Sequence, residues 1–485
     1  MDKVEVPPLK GVFAQPWSAR KALGLLAVFG PAAIIASVSI GAGETIVVVR
    51  MGAWAGYGLL WLVLLSALVK GVFVTYLLGR YTAVSGEPIA QRLVRLPGPR
   101  GWLPLVIVAL EMSAAPMAWV AIAKPCADLC HFVVQGWLPG GMGEPVWENL
   151  ICTGLIGLAL VMSLGLSFVN LEKQQVALCL VMVVGTVAGT LMVKPDYLQA
   201  LAGSLSFGKL PDFPSWAPQD AIDHPLLTMT TTFGYVGGGV LGYVVYASWI
   251  SMHGWGLTGH GQIEAIRRRA ASSARIDYLP EDAEQVGRMR QLLAPLRWDV
   301  GMGATVLFVV TAAFMLSGAA VLYPLQTRFE GWGLLTNQAH IWAAIHPALV
   351  WIYYLCVIAA LWGTLQALPE IYTRVIQECF RAVWPDGSWD YRAIQRVLCL
   401  YLFAGALVFT WSALPFDILV QIASFVLANL AIALVMVAAL YLNFQLPPAY
   451  RTRLPMLIGG LVSAGVLWVV AGAGGWGLAA KLLGN

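Results

Sequence analysis

Charged residues are scarce in this sequence of 485 residues. Asp, Glu, Lys and Arg make up only 11% of the chain, whereas an average soluble domain contains about 25%. Hydrophobic residues make up 59%, which is more than a soluble protein of this size can bury. The shortage of charge therefore excludes a soluble enzyme and a disordered chain, and it predicts an integral membrane protein.

Histidine and cysteine are also few, with six and seven residues. The cysteines lie in apolar runs and are interpreted as small buried side chains rather than disulfides or metal ligands. The sequence has no phosphate-binding loop and no nucleophile or paired-acid pattern, so we expect neither ATP hydrolysis nor another enzyme activity. A net charge of +4 without a large basic block does not indicate nucleic-acid binding. We expect no cofactor and no obligate protein partner.

Long hydrophobic runs, in contrast, are abundant. A helix needs about 20 apolar residues to cross the hydrocarbon core, and eleven runs meet this length. They are continuous rather than alternating, which favours helices over the strands of a membrane barrel. We number the predicted spans one to eleven, at residues 23–50, 56–81, 102–132, 147–168, 174–193, 226–256, 299–322, 348–378, 395–412, 416–443 and 455–479.

The loop charges predict the orientation of the chain in a plasma or inner membrane. With the N-terminus in the cytoplasm, the outward segments carry only Lys194, Lys209, Arg328 and Lys481, as the positive-inside rule requires. An odd number of spans then puts the C-terminus outside. The predicted parts are a cytoplasmic tail (1–22), five spans (23–193) and an extended outer strap (194–225). Five further spans with a cytoplasmic loop at 257–298 follow (226–443), and then a last span with the C-terminus (444–485).

Glycine clusters interrupt two of these runs. Span one contains Gly41-Ala42-Gly43-Glu44, and span six contains Gly237-Gly238-Gly239 followed by Gly242. Backbone groups freed by a break cannot face lipid, so they line a cavity or bind a ligand. Spans one and six open the two groups of five, and paired breaks at matching positions indicate an inverted-repeat transporter with a site near the midplane. The alternative is that the glycines only permit close helix packing.

Several stretches resemble the natural resistance-associated macrophage protein (Nramp) family of divalent-metal transporters. They include Gly56-Tyr57-Gly58-Leu59-Leu60-Trp61, Asn170-Leu171-Glu172, Trp362-Gly363-Thr364 and Gln421. The resemblance implies an all-α LeuT-like fold, in which two inverted five-helix repeats carry unwound first and sixth spans. It also implies alternating access, with spans one, two, six and seven moving against the rest.

The family's metal-binding motifs are changed in this chain. Gly41-Ala42-Gly43-Glu44 stands where the family has Asp-Pro-Gly-Asn, and Leu241-Gly242-Tyr243 stands where it has Met-Pro-His. The thioether that favours transition metals is therefore missing. The predicted substrate-binding residues are Gly41, Ala42, Gly43, Glu44, Gly238, Gly239, Leu241, Gly242, Tyr243 and Gln421.

Two substrate classes remain open. Glu44 and free backbone carbonyls would suit a hard divalent cation such as Mg²⁺ or Mn²⁺, whereas half-helix N-termini and Lys70 would suit bicarbonate or an amino acid. Coupling to H⁺ or Na⁺ is expected, since acids inside a membrane are functional by default. The predicted coupling residues are Glu44, Glu111, Lys70 and Thr364, with Glu44 also the predicted metal ligand.

Overall fold

The computed structural model shows a helical protein. It describes residues 3–26, 30–32, 36, 41, 43–139, 141–165, 168–210, 212–272, 276–326, 334–343, 346–412 and 414–484. Within these residues there is no β-strand. The α-helices are α1 (Ala19–Leu26), α2 (Val49–Ala55), α3 (Leu60–Ser66), α4 (Thr75–Ser85), α5 (Ile89–Leu93), α6 (Trp102–Val134), α7 (Glu144–Gly165), α8 (Phe168–Val193), α9 (Tyr197–Leu205), α10 (Gln219–Asp223), α11 (Pro225–Tyr235), α12 (Val240–Met252), α13 (Ile263–Ser272), α14 (Ala283–Leu292), α15 (Ala294–Ser317), α16 (Leu334–Ala343), α17 (Leu349–Val383), α18 (Tyr391–Thr410), α19 (Phe416–Ala423), α20 (Ala431–Gln445) and α21 (Leu454–Leu483).

Ten stretches of the described chain are long and apolar enough to cross a membrane. They correspond to predicted spans two to eleven, so the all-helical membrane class is confirmed. Predicted span one is described only in pieces (23–26, 30–32, 36, 41 and 43–50), and the total of eleven stays a prediction. The ten are Leu60–Ser85, Trp102–Trp137, Glu144–Gly165, Asn170–Val193, Pro225–Gly259, Ala283–Leu325, Leu349–Val383, Tyr391–Thr410, Phe416–Gln445 and Leu454–Leu483.

Span six is broken where the glycines predicted it. Helix α11 ends at Tyr235 and α12 begins at Val240. Between them, Gly237 and Gly238 have φ angles of 104° and 76°, a region that is accessible to glycine and costly for other residues. The break follows from the sequence, because no other residue type adopts two consecutive positive φ angles so readily.

The described part of span one has two features that hold it in place. After the glycines, Gly43–Val48 forms a π-helical turn that continues into α2. At the start of the span, the Asp299 carboxylate accepts hydrogen bonds from the backbone N–H groups of Gly30 and Ala32, at 3.1 and 2.9 Å. Asp299 lies on span seven, so this helix start is capped from a neighbouring helix.

The two long loops both contain helices. The outer segment 194–225 contains α9 and α10 and is therefore not extended throughout. Asp196 begins α9 by accepting the N–H groups of Leu198 and Gln199, the usual role of an N-cap aspartate. The 257–298 segment contains α13 and α14, and its Tyr278 hydroxyl donates to the Ser85 carbonyl at 2.6 Å.

Candidate functional site

A cavity of about 100 Å³ lies where Gly41 and Gly43 of span one meet the break of span six. Its walls come from spans one, three, six, eight and ten. Small and apolar residues dominate the lining, and the described lining contains no histidine, cysteine or methionine. The lining residues are Gly41, Gly43, Glu111, Ala118, Ile122, Gly234, Tyr235, Gly237, Gly238, Gly239, Gly242, Thr364, Leu368, Ile371, Tyr372, Ala423, Ser424, Leu427 and Ala428.

Glu111 is the acidic side chain of this wall. It projects from α6 and is 1% exposed. The Tyr372 hydroxyl and the backbone N–H of Leu241, in the first turn of α12, approach its carboxylate as hydrogen-bond donors. A carboxylate is favoured there, because the N-terminus of a helix carries partial positive charge. Its Oε2 is buried and has no hydrogen-bond partner among the described residues.

The Glu44 carboxylate contacts Gly41 of span one and the break of span six. It lies in the π-helical turn of span one and is fully buried. Its Oε2 accepts the Gly41 N–H at 3.3 Å, and the backbone N–H of Gly237, in the break of span six, also approaches the carboxylate. Its Oε1 has no partner among the described residues. Gly41 and Gly237 both line the cavity, so this carboxylate lies at the cavity's edge.

Lys70 places a basic group within electrostatic range of Glu44. It lies in a π-helical segment of span two, Ala67–Val74, and is fully buried. Its ammonium group donates to the Phe233 and Gly234 carbonyls at 2.7 Å each. These carbonyls belong to the last turn of α11, where the helix dipole favours a cation. The Glu44 carboxylate is close enough for electrostatic attraction.

Other polar groups of the wall are hydroxyls. Thr364 lies opposite span one, because a Cβ built on Gly41 would come 3.0 Å from its Oγ1. The Ser424 hydroxyl donates to the Thr231 carbonyl at 3.0 Å. The Tyr235 hydroxyl is buried with no partner among the described residues. Sequence reasoning missed Tyr235, Tyr372 and Ser424, although each is a polar residue inside an apolar run.

The remaining predicted site residues have different positions. Gly43, Gly238, Gly239 and Gly242 line the cavity, as does Thr364. The residue predicted at position 42 (Ala42) falls outside the described residues. Leu241, Tyr243, Glu44, Lys70 and Gln421 are not among the lining residues.

The Tyr243 side chain contacts the backbone of span six and is not among the residues that line the cavity. Its hydroxyl donates to the Gly237 carbonyl and so satisfies one acceptor of the break. Leu241 is fully buried in the apolar core. Both residues therefore support the geometry of span six, and their predicted role in substrate binding stays a prediction.

Gln421 belongs to a polar network on the predicted outer side. Its amide donates to Asp220 at 3.0 Å and accepts from Lys481 at 2.9 Å, while Lys481 also pairs with Asp220 at 2.6 Å. Nearby, Arg50 of span one pairs with Asp417 of span ten at 2.5 Å. These contacts tie spans one, ten and eleven and the outer loop together on one side of the cavity.

The chain matches the model of the natural resistance-associated macrophage protein-like family (Nramp) over residues 32–476. No match to a curated protein is found for its sequence. Among solved structures, a variant of the Eremococcus coleocola manganese transporter is similar, with a TM-score of 0.63, 15% identity, and coverage of 97% of this chain and 90% of that chain. MhsT in complex with L-phenylalanine gives a TM-score of 0.53, 13% identity, and coverage of 94% and 99%. These likenesses confirm the LeuT-like fold.

Proposed function

The chain belongs to the Nramp-like family, and from this premise we propose that it is a secondary transporter of a hard divalent cation such as Mg²⁺ or Mn²⁺. The observation that carries the proposal is the unpartnered Oε2 of Glu111 in the central cavity. No ion pair to Glu111 occurs among the described residues. A buried carboxylate without a cation is costly, so a cation entering the cavity would be stabilised there.

The ligand chemistry supports a hard cation. Carboxylate, hydroxyl and backbone carbonyl oxygens surround the cavity, and the described lining offers no sulfur or imidazole nitrogen. Oxygen ligands suit Mg²⁺, Mn²⁺ and Ca²⁺ better than Zn²⁺ or Cu²⁺. The Eremococcus coleocola relative is a manganese transporter, which agrees with this class of cargo. In our proposal Glu111 is the principal ligand and Glu44 contributes its free oxygen from the edge.

A small carboxylate is the second candidate. The wall is mainly apolar, and MhsT shares the fold while holding an amino acid. Two contacts argue against it. The first turn of α12 already faces the Glu111 carboxylate, and the Lys70 ammonium is engaged by two carbonyls of α11. Both groups that would attract an anion therefore already have partners within the chain.

Cargo movement is proposed to follow alternating access, with H⁺ or Na⁺ as the coupling ion. On the predicted outer side, the contacts of Arg50 with Asp417 and of Lys481 with Asp220 hold span one to span ten and span eleven to the outer loop. They would have to separate for the cavity to open in that direction. At the other end of span one, the Asp299 carboxylate caps the predicted inner end of the span, and a Glu172–His253 pair at 3.1 Å lies beside Gly30.

Uptake into proteoliposomes tests the proposal. Purified protein should accumulate Mn²⁺ and Mg²⁺ without ATP, and Glu111→Gln should lower the uptake at least about tenfold, equivalent to roughly 1.4 kcal/mol. Glu264→Gln is the matched control, since Glu264 is exposed on the predicted cytoplasmic loop. Uptake of bicarbonate or an amino acid without cation uptake would overturn the cation proposal in favour of the second candidate.

A further inference from the structure

A cluster of potential metal ligands lies where span three ends and span four begins, outside the central cavity. His131 is in the last turn of α6, and Glu144 and Glu148 share one face in the first turns of α7. One ligand atom from each side chain lies within 4.8 Å of the others. A single ion bound at about 2.0–2.4 Å from each ligand would fit this spacing.

His131 is the observation that separates this cluster from ordinary surface acids. The side chain is only 7% exposed, although it carries two polar nitrogens. The ring makes no hydrogen bond to another described residue, and one of its nitrogens lies within 4.8 Å of a carboxylate oxygen of Glu144 and of Glu148. The imidazole therefore lies near two carboxylates without a hydrogen bond to either, an arrangement that an ion between the three groups would complete.

A third carboxyl group reinforces the cluster. Asp128, one turn before His131 on α6, lies within hydrogen-bonding distance of Glu148 and close to Glu144. Its Oδ2 is buried and has no partner among the described residues. Two carboxyl groups in contact repel each other unless a proton or a cation neutralises one of them.

The local charge matches a dication. Asp128, Glu144 and Glu148 are all acidic, and Lys124 is the nearby cation, where it also donates to the side chain of Asn149. Three carboxylates and one ammonium leave two uncompensated negative charges. Divalent binding would therefore neutralise the site without burying excess charge.

We propose that Asp128, His131, Glu144 and Glu148 form a divalent transition-metal site on the predicted outer side, distinct from the cargo cavity. Imidazole nitrogen combined with carboxylate oxygens suits Zn²⁺, Co²⁺ or Mn²⁺, whereas Mg²⁺ and Ca²⁺ take oxygen ligands. A metal here would cross-link the ends of α6 and α7. The proposal does not depend on which substrate the central cavity carries.

Metal titration of the full chain in lipid nanodiscs tests the site. Zn²⁺ and Co²⁺ binding should be measured by calorimetry, and Co²⁺ absorption bands would report a mixed nitrogen–oxygen ligand set. Loss of a residue that only supports a metal ligand weakens metal binding by about 10–100-fold. His131→Gln removes a proposed ligand itself, so Zn²⁺ binding should weaken by at least this much. His346→Gln is the matched control, because His346 is an exposed histidine at the same predicted side.

The central cavity must be separated from this site in the same titration. In Glu111→Gln protein, one Zn²⁺ should still bind, and adding Glu148→Gln should remove it. If Zn²⁺ binding disappears with Glu111→Gln alone, or survives His131→Gln and Glu148→Gln unchanged, the outer site does not exist. Displacement of Zn²⁺ by equal concentrations of Mg²⁺ would also overturn the assignment to a transition metal.

Discussion

The two ends of the broken span six meet opposite charges from other helices. The last carbonyls of α11 face the Lys70 ammonium, and the first turn of α12 faces the Glu111 carboxylate. In each case the side-chain charge complements the helix dipole. The break is therefore stabilised from spans two and three, and does not require a ligand to satisfy its ends.

The two ends differ in what else is present. Lys70 has Glu44 within range of electrostatic attraction, so the α11 end brings a buried base and a buried acid near each other. Glu111 has hydrogen-bond donors but no ion pair among the described residues. The first arrangement brings a base near the acid and satisfies two carbonyls at the break of span six, whereas the second leaves a carboxyl group that a cation or a proton can neutralise. In our proposal, Glu111 is therefore the principal cargo ligand, and Glu44 contributes one oxygen from the edge of the cavity.

The largest expected effect, on the stability of the fold, comes from removing the Lys70 ammonium group at the end of α11. Lys70→Met should lower the free energy of unfolding by about 3–5 kcal/mol, because it leaves the Phe233 and Gly234 carbonyls without their donor and Glu44 without a nearby base. Denaturation in mixed detergent micelles measures this loss. Lys173→Met is the control, since Lys173 is an exposed lysine.

A second substitution tests whether the effect of Lys70 on stability depends on Glu44. Adding Glu44→Gln to Lys70→Met should restore part of the lost stability, because it removes the orphaned carboxylate charge. A double variant that is destabilised by the sum of the two single effects would show that Glu44 and Lys70 act independently, against the pairing described above.

Cargo affinity should distinguish the two acids next. Glu111→Gln is expected to weaken Mn²⁺ binding by about tenfold or more. Glu44→Gln should weaken it by less, since Glu44 already has Lys70 nearby. Tenfold corresponds to roughly 1.4 kcal/mol. Calorimetric titration of both variants measures the difference. A larger loss in Glu44→Gln would reverse the roles and make Glu44 the principal ligand.

The spans and the break of span six could be predicted from sequence because both signals are local. Run length alone identifies a membrane helix, and clustered glycines such as Gly237 and Gly238 identify a place where the helix cannot continue. The resemblance to a known family added the fold. These features need no knowledge of which helices touch.

The charge pairing could not be predicted in the same way. Lys70 and the carbonyls of Phe233 and Gly234 are far apart in sequence and meet only through packing. Glu111 lies on an unbroken helix, so nothing local marks it as more important than Glu44. Gln421 resembles a family site residue, yet its amide contacts Asp220 and Lys481 instead.

The smallest expected effect tests whether the free volume beside Glu111 is needed. A Cβ built on Gly239 would lie 3.0 Å from the Glu111 Oε1, so Gly239→Ala should push the carboxylate aside without breaking α12. Because the end of a side chain moves easily, the loss of Mn²⁺ affinity should be roughly fivefold, or about 1 kcal/mol. Gly301→Ala is the control, since no atom lies within 4 Å of a Cβ built there. If Gly239→Ala binds Mn²⁺ as tightly as the unaltered protein, the cation does not depend on the position of Glu111, and the contrast between the two ends of span six loses its functional meaning.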